Sequence, residues 1–244
     1  MMLGQTVAIV LVCFGIGATL MMLASRRMSP EIRRQRWLKF SSYFIIVTGV
    51  LGCALLGRSW LTGLVLLIIA TGCWELRAAG ARIRQNRRGP VWPIWSVYAL
   101  LTLGLFTTVI ATTPQTIAFL YLTVAAFDGF SEVTGHLSGR HSLIPSVSPG
   151  KTREGLLGGE VGAISVAFLL RDLAGLDLPG SLALGAAIGV CALLGDLSAS
   201  WVKRRAEIKD FSSLLPGQGG VLDRFDSFIG AGGLLAPLLA LTVT

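Results

Sequence analysis

The sequence predicts an all-α fold, a polytopic transmembrane helix bundle of about eight spans, with room for a ninth partial span. Composition is the first reason, because 53% of the 244 residues are apolar and 14% are charged, whereas soluble domains carry about 25% charged residues. The second reason is a series of apolar stretches close to the roughly 20 residues that cross a bilayer. The third is the distribution of Lys and Arg between those stretches.

The predicted spans are eight apolar stretches, several of them short or interrupted by glycine. They are residues 5–24, 40–57, 61–76, 92–112, 115–134, 155–170, 181–202 and 225–243.

Basic residues orient this arrangement. Four intervening segments contain nineteen of the 21 Lys and Arg residues, and all four fall on one side of eight spans: 25–39, 77–90, 135–154 and 203–224. Arg26 and Arg27 directly follow the first span, as in an uncleaved anchor. The positive-inside rule therefore places these segments in the cytoplasm and both termini outside. The net charge of +8 then predicts contact with anionic membrane lipids and gives no reason to invoke nucleic acid.

Carboxylates inside the spans indicate a polar cavity, since a charge at bilayer depth costs about 2.5–3.5 kcal/mol on insertion scales. Asp128 and Glu132 are four residues apart and share one helix face, as expected for a helix that lines such a cavity. Glu75 precedes Arg77 at the end of a span, and we interpret it as an interfacial residue.

The end of the seventh span carries a polar stripe. Its members follow helical spacing and share one face: Asp196, Ser200, Lys203 and Arg204. Lys209 and Asp210 come next, then the turn Leu-Pro-Gly-Gln-Gly-Gly at 215–220, and then Asp223, Arg224 and Asp226 at the start of the last span. Carboxylates beside Lys and Arg, without Cys or His, suit Mg²⁺ that holds phosphates. The chemistry indicated is phosphoryl or nucleotidyl transfer.

A second polar segment, 138–159, leads into the sixth span. Its candidate phosphate-binding residues are Arg140, Ser148, Lys151, Thr152 and Glu154. The Gly-Lys-Thr at 150–152 is no Walker A motif, because Pro145 stands where the first glycine is required. A serine-rich basic segment before a helix remains a good anion site.

The segment from Ser200 to Asp226, SWVKRRAEIKDFSSLLPGQGGVLDRFD, resembles the motif of the phosphatidate cytidylyltransferases (CDP-diacylglycerol synthases). The segment GRHSLIPSVSPGKTREGLLGG and the Gly-Asp at 195–196 are similar to other common segments of that family. The resemblance implies an N-terminal transmembrane bundle, 1–112, and a C-terminal catalytic region, 113–244, with the motif at 196–227 and a cavity open to the cytoplasm. It also implies a bacterial inner (cell) membrane protein.

The resemblance implies a reaction in which a phosphate oxygen of phosphatidate attacks the α-phosphorus of CTP. It makes Asp196 and Asp223 ligands of Mg²⁺ and a monovalent cation such as K⁺, and it implies a homodimer. Lys203, Arg204 and Lys209 would contact phosphates, with Ser200, Asp210, Arg224 and Asp226 completing the catalytic set. The residues implied to bind substrate are Asp128, Arg140, Ser148, Lys151, Thr152, Glu154, Gln218, Gly219 and Gly220.

Two departures from the family pattern stand inside the motif: Gln218 replaces a usual His, and Ala199 replaces a usual Glu. We expect catalysis to persist, with a shifted pH dependence or lipid acceptor. The alternatives are a CTP-dependent polyprenol or dolichol kinase, a transporter that uses intramembrane carboxylates, and an inactive or acceptor-shifted paralogue.

Overall fold

The computed structural model describes residues 3–24 and 29–241, and within them the chain is a helical membrane bundle. The helices are α1 (Leu3–Ala24), α2 (Pro30–Leu56), α3 (Arg58–Gln85), α4 (Trp92–Ala111), α5 (Pro114–Ser138), α6 (Arg153–Leu170), α7 (Leu178–Arg205), α8 (Leu222–Leu234) and α9 (Ala236–Leu241), with a short 3₁₀ helix (Arg171–Leu173) before α7. Arg26 and Arg27, on which the orientation of the first span depends, lie outside the described residues, as do residues 242–244.

Five of the described helices are long and apolar enough to cross a membrane: α2, α3, α4, α5 and α7. The protein is therefore a multi-pass membrane protein. By length and composition alone, α6, α8 and α9 fall short of that standard, and α1 is apolar over Leu3–Thr19.

Helix boundaries depart from the predicted spans in two ways. α2 begins at Pro30 and α3 runs to Gln85, so basic residues predicted to lie in loops extend these helices beyond the apolar stretches. The last predicted span, 225–243, divides into α8 and α9 at Leu235. Pro237 accounts for the break, since it has no N–H to donate to the carbonyl of Gly233.

A β-hairpin corrects the all-α prediction. Strand β1 (Ser142–Ile144) pairs antiparallel with strand β2 (Ser148–Thr152), inside the segment predicted as a loop. Pro145 in the turn, followed by Pro149 and Gly150, opposes helix formation, and the extended chain satisfies its backbone across the hairpin. Thr152 ends β2 and caps α6, accepting from the Gly155 N–H at 3.0 Å.

Small residues bring the helices of the C-terminal half together, as in other membrane bundles. A Cβ on Gly159 of α6 would lie 2.9 Å from the Phe127 ring of α5. A Cβ on Gly230 of α8 would lie 2.5 Å from Cα of Gly195 in α7. These contacts place the first turns of α6 and α8 beside the last turns of α5 and α7.

Candidate active site

Two adjoining cavities lie where α5 and α7 end and α6 and α8 begin. We call the smaller one, of about 360 Å³, the polar chamber; its charged lining residues are Asp128, Glu132, Lys151, Asp196, Lys203, Asp223, Arg224 and Asp226. We call the larger one, of about 1110 Å³, the large chamber; its lining includes Lys39, Phe40, Tyr43, Tyr121, Lys209, Asp210, Gln218 and Phe228. The chambers share Asp128, Glu132 and Arg224, so groups bound in one can meet groups bound in the other.

Asp196 joins α7 to the hairpin. Its Oδ2 forms an ion pair with the Lys151 ammonium of β2, and the Ser200 hydroxyl donates to its Oδ1 at 3.2 Å. Because Ser200 lies one turn after Asp196 on the same helix face, the predicted stripe forms this contact. The pair brings a carboxylate and a cation from distant segments to one wall of the polar chamber.

Asp223 is the most enclosed carboxylate of the polar chamber, with 2% of its side chain exposed. Lys203 donates to its Oδ1 at 2.7 Å. Its Oδ2 accepts from the backbone N–H groups of Phe211 at 2.7 Å and Gly220 at 2.8 Å. One side chain thus holds the end of α7, the connecting segment and the start of α8.

Asp226 and Asp128 meet through Ser227. The Ser227 backbone N–H donates to Oδ1 of Asp226 at 2.8 Å, and its hydroxyl donates to Oδ1 of Asp128 at 3.1 Å. This contact attaches α8 to α5 and adds two carboxylates to the lining that contains Lys151 and Lys203.

The turn after Asp210 docks on α2. The Gln218 amide donates to the Lys39 carbonyl at 2.9 Å, and the Ser42 hydroxyl donates to the Pro216 carbonyl at 2.8 Å. Gly217 and Gly219 have φ values of 73° and 87°, which favour glycine. A Cβ on Gly219 would also lie 3.0 Å from Oδ2 of Asp223, so the turn packs closely against that carboxylate.

Several residues predicted to bind phosphate serve other contacts. Arg204 of the predicted stripe lines neither chamber. Its Nε donates to the Val147 carbonyl at 3.1 Å. Glu154 accepts from His141 Nδ1 at 2.6 Å and from the Arg140 N–H at 3.1 Å. The His141 hydrogen bond, with backbone N–H donors, lowers the pKa of Glu154 to about 2. Arg140, Ser148 and Glu154 line neither chamber.

Comparison with known proteins identifies the family. The model of the cytidylyltransferase family matches residues 105–242, which include every charged residue of the polar chamber. The chain belongs to the cytidylyltransferase family. It is 33% identical over 216 residues to a phosphatidate cytidylyltransferase of Brucella abortus, covering 84% of this chain and 76% of that protein.

Two further relatives are similar over shorter stretches. The phosphatidate cytidylyltransferase of Haemophilus influenzae is 39% identical over 119 residues, which cover 46% of this chain and 41% of that protein. The chloroplastic phosphatidate cytidylyltransferase 5 of Arabidopsis thaliana is 45% identical over 115 residues, which cover 46% of this chain and 28% of that protein.

The cytidylyltransferase family generally uses Mg²⁺, and the polar chamber fits such a cation by donor chemistry. Among residues 3–24 and 29–241, no three His, Cys, Asp or Glu side chains converge as ligands of one metal ion. The chamber nevertheless contains more carboxylates than Lys and Arg side chains, and all its anionic donors are the oxygens that Mg²⁺ prefers. The Lys151 and Lys203 ammonium groups each neutralise one carboxylate that could otherwise bind the cation.

Sequence reasoning was wrong about Glu75. Its side chain is fully buried and accepts hydrogen bonds from Ser212, Val221 and Leu222, so it is not an interfacial residue. The signal that could have found it is the one that found Asp128: a carboxylate within an apolar span.

Proposed function

We propose that this chain of the cytidylyltransferase family is a CTP:phosphatidate cytidylyltransferase that makes CDP-diacylglycerol and pyrophosphate for phospholipid synthesis. The observation that carries the proposal is that two ion pairs, Lys151–Asp196 and Lys203–Asp223, line the oxygen-rich polar chamber. This chamber adjoins the large chamber, which has an aromatic wall. Names of the relatives add the specific substrates.

In the proposed reaction a phosphate oxygen of phosphatidate forms a bond to the α-phosphorus of CTP, and the bond from that phosphorus to the β-phosphate bridging oxygen breaks. Pyrophosphate leaves with the electron pair. Lys151, Lys203 and Arg224 neutralise charge that spreads over the phosphorus oxygens in the transition state. Asp196 and Asp223 would hold Mg²⁺, alone or with a monovalent cation such as K⁺, and the bound metal would supply Lewis-acid polarisation of phosphate oxygens.

The large chamber suits the lipid substrate. Phe40, Tyr43, Tyr121 and Phe228 provide an apolar wall, while Lys39, Lys209 and Arg224 line the same cavity. An amphiphile with a phosphate headgroup satisfies both surfaces. In this proposal the headgroup meets the CTP phosphates at the side chains that the two chambers share.

We further propose the arrangement that the basic segments predict: eight spans, termini outside, and the chambers open to the cytoplasm of a bacterial inner membrane. Residues 1–112 form a supporting bundle and residues 113–244 the catalytic region. A homodimer remains part of the proposal on family grounds.

The decisive experiment follows two labels in parallel. Purified protein in detergent receives phosphatidate, Mg²⁺ and CTP labelled at either the α- or the γ-phosphate. We expect the α-label to enter the lipid phase and the γ-label to appear in pyrophosphate. Lipid that carries the γ-label would instead identify a lipid kinase, and label in neither lipid pool would contradict enzyme activity on phosphatidate.

Asp223→Asn sharpens this test. The substitution removes the charge that pairs with Lys203 while keeping the side-chain shape, and we expect α-label transfer to fall about 100-fold, the scale seen when active-site positioning is lost. Asp172→Asn, at the exposed position of the 3₁₀ helix, is the matched control and should transfer label at the unmodified rate. Equal transfer by Asp223→Asn and the unmodified protein would remove Asp223 from the proposed mechanism.

A further inference from the structure

Glu75 connects the N-terminal helices to the candidate active site. It lies in α3, outside the region 105–242 that the family model matches, and its side chain is 0% exposed. Oε1 accepts from the Ser212 hydroxyl at 2.6 Å and from the Val221 N–H at 2.9 Å. Oε2 accepts from the Leu222 N–H at 2.7 Å. A carboxylate this deeply buried is tolerated when its oxygens are satisfied in this way.

The three donors belong to the segment that carries the site. Ser212 lines the large chamber, and Val221 and Leu222 open α8. Asp223 is the next residue, and Asp226 follows on the same helix. Any shift of the first turn of α8 therefore moves both carboxylates relative to Asp196 on α7.

α8 needs an external cap. In the described structure Val221, its N-cap residue, provides no side-chain hydrogen bond to the helix, and valine has no group that could. The Glu75 carboxylate takes over that role, accepting two of the orphan N–H groups and lying at the positive end of the helix dipole. Gly220 leaves the space for it, because a Cβ there would collide with Oε1 of Glu75.

We propose that Glu75 is a positioning residue for cytidylyl transfer: it caps α8 from another helix and holds Ser212, thereby fixing where the α8 carboxylates stand in the polar chamber. This inference rests on the proposed function for its catalytic consequence. Its structural part, the anchoring of segment 212–222 by α3, stands on the contacts alone.

Glu75→Gln is the sharpest test. The amide keeps the size of the side chain but replaces one acceptor oxygen with an NH₂ group, which faces the N–H donors at the start of α8. Glu160→Gln is the matched control. Glu160 is a carboxylate of α6 whose Oε1 is buried without a hydrogen-bond partner among the described residues, and it lines neither chamber.

Three measurements on the full-length proteins in detergent separate positioning from general stability. They are kcat and KM for CTP in the α-label assay, the Mg²⁺ concentration for half-maximal rate, and hydrogen–deuterium exchange of peptides from 211–223 compared with peptides from α6. We expect Glu75→Gln to lower kcat about 100-fold, to raise the Mg²⁺ requirement, and to speed exchange in 211–223 while α6 exchange stays unchanged. Glu160→Gln should match the unmodified protein in all three.

Unchanged exchange in 211–223 would overturn the inference, whatever the activity. The inference would also be overturned if the rate fell only in proportion to the amount of folded protein and the Mg²⁺ requirement stayed unchanged. If Glu75→Gln does not fold, Ser212→Ala, which removes a single contact to Glu75, must show the same effects to a smaller degree. If the unmodified protein transfers no label but exchange rises in Glu75→Gln, the proposed function fails and the anchoring role holds.

Discussion

At the scale of single residues, the Lys203–Asp223 pair has the strongest predicted effect on stability. Its side chains are 13% and 2% exposed, so water compensates little for a lost partner. Lys203→Met keeps the length of the side chain but leaves the Asp223 carboxylate with its two backbone donors and no cation. Breaking a buried pair in this way costs about 3 kcal/mol, and we expect a lower unfolding midpoint in detergent together with loss of label transfer.

Arg204→Met is the control for the stability effect, one position further along α7. Arg204 is exposed and donates to the Val147 carbonyl at 3.1 Å, so its loss should change stability by less than about 1 kcal/mol. Equal unfolding midpoints for the two variants would contradict the importance assigned to the buried pair.

Local spacing explains which single residues the sequence predicted. Asp196 and Ser200 are one helical turn apart, and the structure shows their hydrogen bond. Contacts between distant segments lack such a rule. The partner of Asp196 is Lys151 on the hairpin, and the partners of Glu75 are Ser212 and the start of α8. Sequence reasoning identified Asp196 and Lys151 as candidate site residues and misinterpreted Glu75 as interfacial, and it could not predict the partner of any of the three.

At the scale of helices, α7 and α8 can approach closely because glycine faces glycine. A Cβ on Gly230 would lie 2.5 Å from Cα of Gly195 and 2.9 Å from the Cys191 carbonyl. We expect Gly230→Ala to separate the helices and to destabilise the protein by about 1–3 kcal/mol through overpacking. We also expect label transfer to fall at least about tenfold, because Asp196 and Asp226 lie on opposite sides of this contact. The measurements are the unfolding midpoint and the α-label assay.

Gly52→Ala in α2 provides the comparison, since nothing lies within 4 Å of a Cβ there. Removing a helix-interior glycine at such a site should leave stability equal or slightly higher. If Gly230→Ala were as stable and as active as Gly52→Ala, the proposed dependence of the site on α7–α8 contact would be wrong.

Elements formed by tertiary contact were the hardest to predict. The hairpin at 142–152 has neither alternating apolar residues nor a two-residue Asn-Gly turn. The residues that flank it are also paired, because the Arg153 N–H donates to the His141 carbonyl at 2.9 Å. It docks on α7 through Lys151 and Arg204. Hydropathy therefore predicted a connecting loop, whereas the helices on either side were predictable from their apolar runs.

At the scale of the whole molecule, contacts between segments support one common side for the basic residues. Glu207 after α7 pairs with Arg88 after α3, and the turn at 216–218 docks on Lys39 and Ser42 of α2. Arg204 reaches Val147 of the hairpin, which follows α5. The ends of α3, α5 and α7 therefore meet at one face of the bundle.

That meeting determines how α6 must run. α5 and α7 both end at the face that carries the chambers, so the chain between them has to leave that face and return. α7 makes one of these passages, and α6, with 18 residues and a length of about 27 Å, makes the other. We therefore expect α6 to cross the membrane although it falls short by length and composition, and by the same count α8 and α9 carry the C-terminus back outside.

Reporter fusions test this count. Green fluorescent protein fused after Arg88 should fluoresce in bacterial cells, because that position follows α3 at the chamber face. Alkaline phosphatase fused after Thr244 should be active, and green fluorescent protein at the same place should stay dark. A fluorescent C-terminal fusion would mean that α8 and α9 enter the membrane without crossing it. In that arrangement the bundle would have an odd number of spans, and the glycine contact between α7 and α8 would anchor a re-entrant segment.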